Sequence, residues 1–413
     1  MGEQKDIGDL IYDWNTAGNG SMPGLKDIEF DDETLRDGLQ SPSVQHPTIE
    51  QKKELLHLME DLGIHTADVG LPGAGARARN DVLALVQEIA DNKMNITPNC
   101  AARTVLADVT PVVEISQKVG IPIEVCTFIG SSPIRVYAEE WTLEKMVKHT
   151  VEAVSFAVKE GLPVMFVTED TIRAKPETLT ALFDAAIDSG AARFCLCDTC
   201  GHATPKGVKN LVNWTKEYLE SKDVDIKLDW HGHRDRGLAL SNALAAIEAG
   251  VDRVHGTAMG IGERIGNLPI DILLVNLRLL GLIENDLTKL PEYVQKTSDY
   301  TGIPLPPNYP VIGEDAFRTG TGVHAAAVIK AESKGDDWLA DRIYSGVPAG
   351  MVGRHQIIDV GPMSGKSNVI YWLKKYSIEA SDELVNEIFK VAKDSEKLLT
   401  EDEIMAVVER VTN

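Results

Sequence analysis

Residues 161–198 read GLPVMFVTEDTIRAKPETLTALFDAAIDSGAARFCLCD, and this stretch holds the pattern that decides the fold. The apolar runs Val164–Val167 and Phe194–Cys197 have the length of buried strands, and the segment between them has helical spacing. Gly161 and Gly190 stand shortly before the two runs, where the C-cap of a helix needs positive φ. The stretch therefore predicts a strand–helix–strand unit of a parallel sheet.

The same unit recurs along the chain. The six other predicted strands are Asp27–Phe30, Ile64–Val69, Asn95–Thr97, Ile121–Val125, Ile226–Trp230 and Arg253–His255. Eight such units in a row are the number that closes a (β/α)8 barrel, and an open doubly wound sheet is the alternative. We therefore predict an α/β fold, a TIM barrel followed by a smaller and mainly helical C-terminal region.

The alternation of strands and helices stops after Leu282, where prolines punctuate the chain. The predicted domains are an N-terminal extension at 1–24, a TIM-barrel catalytic domain at 25–285, a linker subdomain at 286–358 and a C-terminal helical subdomain at 359–413. Two amphipathic stretches, Ser381–Ala392 and Thr400–Arg410, are the helices expected in the last of these. Thr400 and Glu403 have the spacing of a capping box, which predicts the start of the second helix.

The overall charge restricts the class of partner. The 413 residues carry a formal net charge of −22, which argues against non-specific binding to nucleic acid or to an anionic membrane. The opening MGEQKDIGDLIYDW lacks the basic and then apolar pattern of a signal peptide. No run of about 18 apolar residues predicts a membrane span. We expect a cytoplasmic protein that acts on small molecules.

The cysteines do not predict a disulfide framework, because five is an odd number in a long chain. Cys197 and Cys200 have the C-x-x-C spacing of redox and zinc sites. Cys195 and Cys197 also alternate within an apolar strand, as small buried residues do. We favour the second interpretation, since no second pair follows.

Reactive groups in a TIM barrel gather at the carboxyl ends of the strands. The first strand ends in DDETLRDG (31–38), the seventh in HGH (231–233), and the eighth leads into GIGERIGN (260–267). Histidines at i and i+2 of a strand face the same side, so both can reach one ion. Two imidazoles with carboxylate or amide oxygens suit Zn²⁺, Mn²⁺ or Fe²⁺ better than Mg²⁺. A chance H-x-H is the alternative.

The glycines of 260–267 do not form a dinucleotide-binding loop. The third glycine of G-x-G-x-x-G would fall at Ile265, and the segment follows the eighth strand rather than the first. We expect these glycines to let the loop approach a ligand closely.

These motifs together resemble one known family. TLRDG (34–38), HGH (231–233), GERIGN (262–267 with Ile at 265), FRTGTGVH (317–324) and GPMSGKSN (361–368) are similar to the signature set of the DRE-TIM metallolyases. Within that family the chain most resembles the 2-isopropylmalate and homocitrate synthases, from about Lys26 to Asn368. The resemblance implies an enzyme of amino-acid biosynthesis that joins the acetyl group of acetyl-CoA to a 2-oxo acid.

The resemblance also implies roles for particular residues. Asp37, His231, His233 and Asn267 match the ligands of a divalent metal, with Mg, Mn and Zn as candidates. Arg36 matches the residue beside the ketone oxygen of the 2-oxo acid. Glu169 matches a catalytic position that lines the substrate, with a structural ion pair as its alternative. The positions that match substrate-binding residues are Gln40, Cys126 and Thr199.

Two residues after the barrel complete the implied catalytic set. His324 and Tyr344 match residues proposed to reach the active site of a neighbouring subunit, which implies a homodimer. A histidine that titrates near neutrality suits the role of general base, and a surface histidine is the alternative. By the same resemblance, no leucine-sensing regulatory domain is expected after residue 413.

Four positions depart from the usual synthase pattern. Leu39 replaces a glutamate, Cys126 a histidine, Arg135 a second histidine and Arg234 an asparagine. These departures argue against 2-oxoisovalerate as the acceptor and leave pyruvate, 2-oxoglutarate and bulkier or aromatic 2-oxo acids open. A lyase similar to the hydroxymethylglutaryl-CoA lyases is one alternative, although 256–267 lack the cysteine expected there. A non-catalytic protein that binds metal or acyl-CoA is another, and retention of Arg36 argues against it.

Overall fold

The computed structural model describes residues 10–15 and 28–412. The predicted N-terminal extension therefore lies outside the described residues except for 10–15. The chain forms two compact units, Met1–Glu284 with Tyr300–Gly302, and Asn285–Asp299 with Ile303–Asn413. The finer division predicted at residue 358 stays a prediction.

The first unit contains the barrel that the sequence predicts. Its eight strands are β1 (Glu29–Asp32), β2 (Thr66–Asp68), β3 (Thr97–Arg103), β4 (Glu124–Gly130), β5 (Val164–Glu169), β6 (Arg193–Asp198), β7 (Lys227–Gly232) and β8 (Arg253–Gly256). They pair in chain order, and β1 closes the barrel by pairing parallel to β8. The prediction of a TIM barrel is confirmed.

Helices separate the strands, and all but the shortest of them contain buried residues. They are α1 (Ile49–Asp61), α2 (Ala76–Asn92), α3 (Leu106–Val119), α4 (Pro133–Ala138), α5 (Leu143–Lys159), α6 (Pro176–Asp188), α7 (Pro205–Lys222), α8 (Ala239–Ala249) and α9 (Ile270–Leu279). α1 shows how the sequence builds them, because Thr48 and Gln51 form a reciprocal capping box and Leu55 and Met59 are fully buried.

Three strands lie further along the chain than predicted, and of these β1 is shifted by two residues. β3 begins at Thr97, where the predicted third strand ended, and β4 extends to Gly130 rather than ending at Val125. β3 has the sequence TPNCAAR, which has no alternating apolar pattern and few β-branched residues. Its pairing with β4, from Asn99 opposite Glu124 to Arg103 opposite Phe128, makes it a strand.

The interior of the barrel contains a buried ionic layer. Arg253 is 1% exposed and donates to Asp229 at 2.7 Å and to Glu124 at 2.6 Å. Arg193 donates to the other oxygen of Asp229 at 2.6 Å. Each buried charge thus has a hydrogen-bonded partner of opposite sign, as burial demands.

The remaining elements are α10 (Leu290–Thr301), β9 (Arg318–Thr319), α11 (Gly322–Glu332), α12 (Asp337–Ala340), β10 (Ile357–Ile358), α13 (Lys366–Lys375), α14 (Asp382–Asp394) and α15 (Glu401–Thr412). β9 and β10 pair in parallel. The capping box predicted at Thr400 is confirmed, since Thr400 and Glu403 exchange hydrogen bonds of 2.8 and 3.2 Å. Across the described residues, we find no helix with the length and apolar character required to cross a membrane.

Candidate active site and metal centre

Three of the predicted metal ligands converge at the carboxyl end of the barrel. Asp37, His231 and His233 each offer one ligand atom within 4.8 Å of the others. The Asp37 Oδ2 atom lies 3.9 Å from His231 Nε2 and 4.0 Å from His233 Nε2. The two histidines face the same side because they are two residues apart, His231 within β7 and His233 directly after it.

Asn267 completes this cluster from the loop after β8. Its Nδ2 donates to Asp37 Oδ1 at 2.8 Å, and its Oδ1 is buried with no hydrogen-bond partner among the described residues. A buried oxygen without a donor is costly, and a cation would satisfy it. The donor set of two imidazoles, a carboxylate and an amide oxygen therefore fits a divalent ion.

The protonation state of His233 suits a metal ligand. Burial, supported by the nearby His231, lowers the pKa of His233 to about 4. The imidazole is therefore neutral at pH 7, which is the form that binds a metal ion.

The carboxylate of Glu33, which was not predicted as a site residue, lies against the second ring nitrogen of His231. The Glu33 Oε2 atom lies 2.9 Å from His231 Nδ1, and its Oε1 atom lies 3.0 Å from His255 Nδ1. Burial opposes ionisation of Glu33, but His231 and Arg36 outweigh it and hold the pKa of Glu33 well below its usual range. A carboxylate on the second nitrogen of a histidine fixes the ring and its tautomer for metal binding.

Arg36 lies directly beside the metal candidates. Its guanidinium donates from Nε to Asp68 Oδ2 at 2.6 Å and from Nη1 to Asp37 Oδ2 at 3.0 Å, and Nη2 lies 3.0 Å from Glu33 Oε1. Three carboxylates thus hold the planar fork in one orientation. Burial raises the pKa of Asp68 to about 7 even though Arg36 lowers it.

The cluster opens into a cavity of about 240 Å³. Of the residues predicted from the sequence, those that line it are Arg36, Asp37, Gln40, Cys126, Glu169, Thr199, His231 and His233. Asn267 contacts this set through Asp37. Glu169 lies 3.6 Å from Arg135, and burial raises its pKa, with Arg135 opposing. The Thr199 hydroxyl accepts a hydrogen bond from the Asp170 backbone at 2.8 Å.

His324 and Tyr344 belong to the second unit rather than to the unit that contains this cavity. Their rings stack with centroids 4.2 Å apart, and both side chains are exposed. His324 lies in the first turn of α11. Their predicted role in catalysis stays a prediction.

The cysteines follow the buried interpretation. Cys195 and Cys197 are 1% and 3% exposed and line the cavity from β6. Cys200 instead accepts a hydrogen bond from Arg173. Neither Cys197 nor Cys200 belongs to a metal-ligand cluster of the described residues.

Sequence reasoning missed Glu33, Asp68 and His255, all of which line the cavity. One available signal was a charged or titratable residue inside a predicted apolar strand, as with Asp68 in 64–69 and His255 in 253–255. Buried charges are rare without a partner or a function. Such residues therefore indicate a site even before their partners are known.

A glycine in the loop after β8 makes room for the metal candidates. A Cβ atom at Gly262 would lie 2.2 Å from Asn267 Nδ2 and 3.0 Å from Asp37 Oδ1. Gly262→Ala should therefore displace both side chains. Overpacking of this kind costs roughly 1–3 kcal/mol, and we expect the affinity for Mn²⁺ to fall about tenfold or more in calorimetric titration. Gly237→Ala is the control, because a Cβ there meets open space at positive φ; equal affinities in the two variants would contradict the prediction.

The fold and the cluster define a class, a TIM-barrel protein with a candidate divalent-metal site at the carboxyl end of its strands. Residues 27–297 match the family model described as HMGL-like. The chain belongs to this family, the DRE-TIM metallolyases, as its motifs predict.

Relatives agree with this placement, and a solved structure agrees with the fold. The chain is 32% identical over 386 residues to homocitrate synthase AksA of Methanopyrus kandleri, covering 92% of this chain and 91% of that protein. It is 31% identical over 392 residues to 2-isopropylmalate synthase of Methanocaldococcus jannaschii, covering 92% and 71%. The crystal structure of HMG-CoA lyase from Bacillus subtilis matches with a TM-score of 0.57 at 21% identity, covering 68% and 96%, which supports the fold.

Proposed function

We propose that this protein is an acyltransferase that condenses the acetyl group of acetyl-CoA with the ketone carbon of a 2-oxo acid. The observation that carries the proposal is the convergence of Asp37, His231 and His233 beside the Arg36 guanidinium in one cavity. The names of the two relatives, a homocitrate synthase and a 2-isopropylmalate synthase, support this class of reaction.

The reaction needs a polarised ketone and a stabilised negative charge. A divalent ion held by Asp37, His231, His233 and Asn267 would supply Lewis-acid polarisation of the 2-oxo acid. Arg36 would donate to the ketone oxygen as negative charge develops on it during carbon–carbon bond formation. The three carboxylates around Arg36 keep its fork in place before substrate arrives, so little reorganisation is needed.

The acetyl methyl group must lose a proton before it attacks the ketone carbon. We propose His324 as the base, with Tyr344 stacked on it as a positioning residue. Both belong to the second unit and both are exposed, and the resemblance to the synthases suggests that a neighbouring subunit of a homodimer would provide them. The alkoxide then takes up a proton, and water hydrolyses the thioester to give a 2-alkylmalate-type product and free CoA.

Release of CoA tests the proposed function directly. Free thiol should appear from acetyl-CoA only when both a 2-oxo acid and a divalent ion are present. A panel of pyruvate, 2-oxoisovalerate, 4-methyl-2-oxopentanoate, phenylpyruvate and 2-oxoglutarate covers the acceptor classes. Absence of thiol release with every acceptor and with Mg²⁺, Mn²⁺ and Zn²⁺ would contradict the proposal.

Mixed subunits test whether His324 acts across an interface. His324→Ala and Arg36→Lys proteins should each have little turnover, and mixing them with subunit exchange should restore up to about a quarter of the wild-type activity. That fraction follows because half of the randomly exchanged dimers are mixed, and each has one intact composite site. A mixture with no more activity than its components would show that His324 does not serve a neighbouring subunit.

A further inference from the structure

One side of the cavity is made almost entirely of uncharged side chains. We call Cys126, Phe128, Met165, Val167, Cys195 and Cys197 the apolar wall; all six line the cavity. They come from β4, β5 and β6, and Ala101 from β3 extends the same surface. Cys126, Met165, Cys195 and Cys197 pack together as one buried cluster, with Val167 against it.

The arginines and histidines of the cavity come from strands other than those of the wall, although β6 of the wall pairs directly with β7. Arg36 follows β1, while Arg264 and the histidines come from β7, β8 and the loop after β8. In the closed order of eight strands, β4 is four positions from β8, and β5 is four positions from β1. Among the described residues of β3 to β6 that line the cavity, Glu169 at the end of β5 is the one with a carboxyl group. A ligand that reaches from the metal candidates to β4 and β5 would therefore meet side chains without positive charge.

Two arginines close to β5 are already paired with acids. Arg253 contacts the sulfur of Met165, but its guanidinium also donates hydrogen bonds to Asp229 at 2.7 Å and to Glu124 at 2.6 Å. Arg135 lies 3.0 Å from Glu139 and 3.6 Å from Glu169. Neither arginine lines the cavity.

The thiols of the wall behave as small apolar groups. Burial raises the pKa of the Cys126 and Cys195 thiols well above the usual range, so both stay uncharged at neutral pH. Uncharged buried cysteine packs like a small hydrophobic residue. The wall therefore offers contact area to a hydrocarbon group and no compensation for a carboxylate.

From this arrangement we infer that the acceptor is a monocarboxylic 2-oxo acid with an apolar side chain, and that 2-oxo dicarboxylic acids are rejected. The inference rests on the proposed function for the identification of the ligand as a 2-oxo acid. It separates this chain from its relative named homocitrate synthase, since forming homocitrate by such a condensation requires a dicarboxylic acceptor. The apolar side chain would lie on the wall while the 2-oxo acid group faces Arg36 and the metal candidates.

Binding without acetyl-CoA tests this inference independently of turnover. In calorimetric titrations of the Mn²⁺-loaded full chain, 4-methyl-2-oxopentanoate should bind about 100-fold or more tightly than 2-oxoglutarate, because the second carboxylate loses water without gaining a cation. Equal or tighter binding of 2-oxoglutarate would overturn the inference, and so would failure of both acids to bind. The expected order of affinities without any CoA release would instead count against the proposed function alone.

A charge placed on the wall should abolish the preference. Val167 is partly buried at the cavity surface, so a longer side chain there can extend into the cavity. Val167→Lys should raise the affinity for 2-oxoglutarate relative to 4-methyl-2-oxopentanoate about 100-fold, and Val167→Met, similar in length without charge, should keep the wild-type order. A Val167→Lys protein that folds, as judged by circular dichroism, and keeps the wild-type ratio would overturn the inference.

Discussion

Replacing Arg36 with lysine should lower kcat by about 10²–10³-fold while the metal stays bound, since loss of one preorganised donor to a developing oxyanion has an effect of that size. The guanidinium reaches Asp68, Asp37 and Glu33 from three different nitrogens. A lysine ammonium is a point charge on a flexible stem and cannot hold that orientation. The measurement is steady-state CoA release together with metal content after dialysis.

Arg79→Lys is the matched control for this experiment. Arg79 forms a half-exposed ion pair with Glu114 and does not line the cavity, so the same chemical change there should leave kcat unaltered. Near-normal turnover of Arg36→Lys would remove Arg36 from the reaction. Loss of metal together with turnover would assign Arg36 to the support of Asp37 instead.

His233→Ala should lose the metal. His233 is 4% exposed and its Nε2 lies 4.0 Å from Asp37 Oδ2, so removal of the ring takes one donor from the cluster and leaves a cavity beside it. We expect the affinity for Mn²⁺ or Zn²⁺ to fall about 100-fold or more, because even outer-shell partners contribute 10–100-fold. Titration calorimetry and elemental analysis of the dialysed protein measure this change.

His57→Ala provides the comparison for the loss of an imidazole. His57 lies in α1, is partly exposed and contacts Glu88, and it does not line the cavity. The metal affinity of the His57→Ala protein should equal that of the wild type. Unchanged metal binding in His233→Ala would contradict the assignment of His233 as a ligand.

The barrel and most of the cluster could be predicted because their signals are local. Two histidines at i and i+2 share a strand face wherever the strand lies. Asp37 and Asn267 follow strands whose carboxyl ends meet in any closed parallel barrel. The choice of Asp37 and Asn267 as ligands came from the resemblance of their motifs to the DRE-TIM metallolyases, and the closed barrel explains how residues so far apart in the chain can meet.

The support beneath the cluster could not be predicted in the same way. Glu33 and His255 are 222 residues apart and meet only because β1 pairs with β8. Asn99 likewise donates to Asp31 at 2.5 Å across the barrel interior. No local pattern encodes such a pair, and a buried charge in a strand indicates only that some partner exists.

The position of the third strand was predicted wrongly for a related reason. β3 contains Pro98 and Asn99 near its start, and its alanines carry no strand preference of their own. The hydrogen bonds from β2 and β4 impose the extended conformation. The position of Ala101 in the cavity could not be predicted from the sequence of β3. Ala101 lines the cavity, where its small side chain extends the apolar wall.

The central claim is that Asp37, His231, His233 and Asn267 hold one cation on which a 2-oxo acid assembles beside Arg36. Electron paramagnetic resonance of Mn²⁺ bound to the full chain tests it most directly. We predict one Mn²⁺ per chain, with a spectrum that changes when a 2-oxo acid is added and that is lost in His233→Ala. A chain that binds no Mn²⁺ or Zn²⁺, or a bound Mn²⁺ whose spectrum is insensitive to every 2-oxo acid of the panel, would contradict the claim.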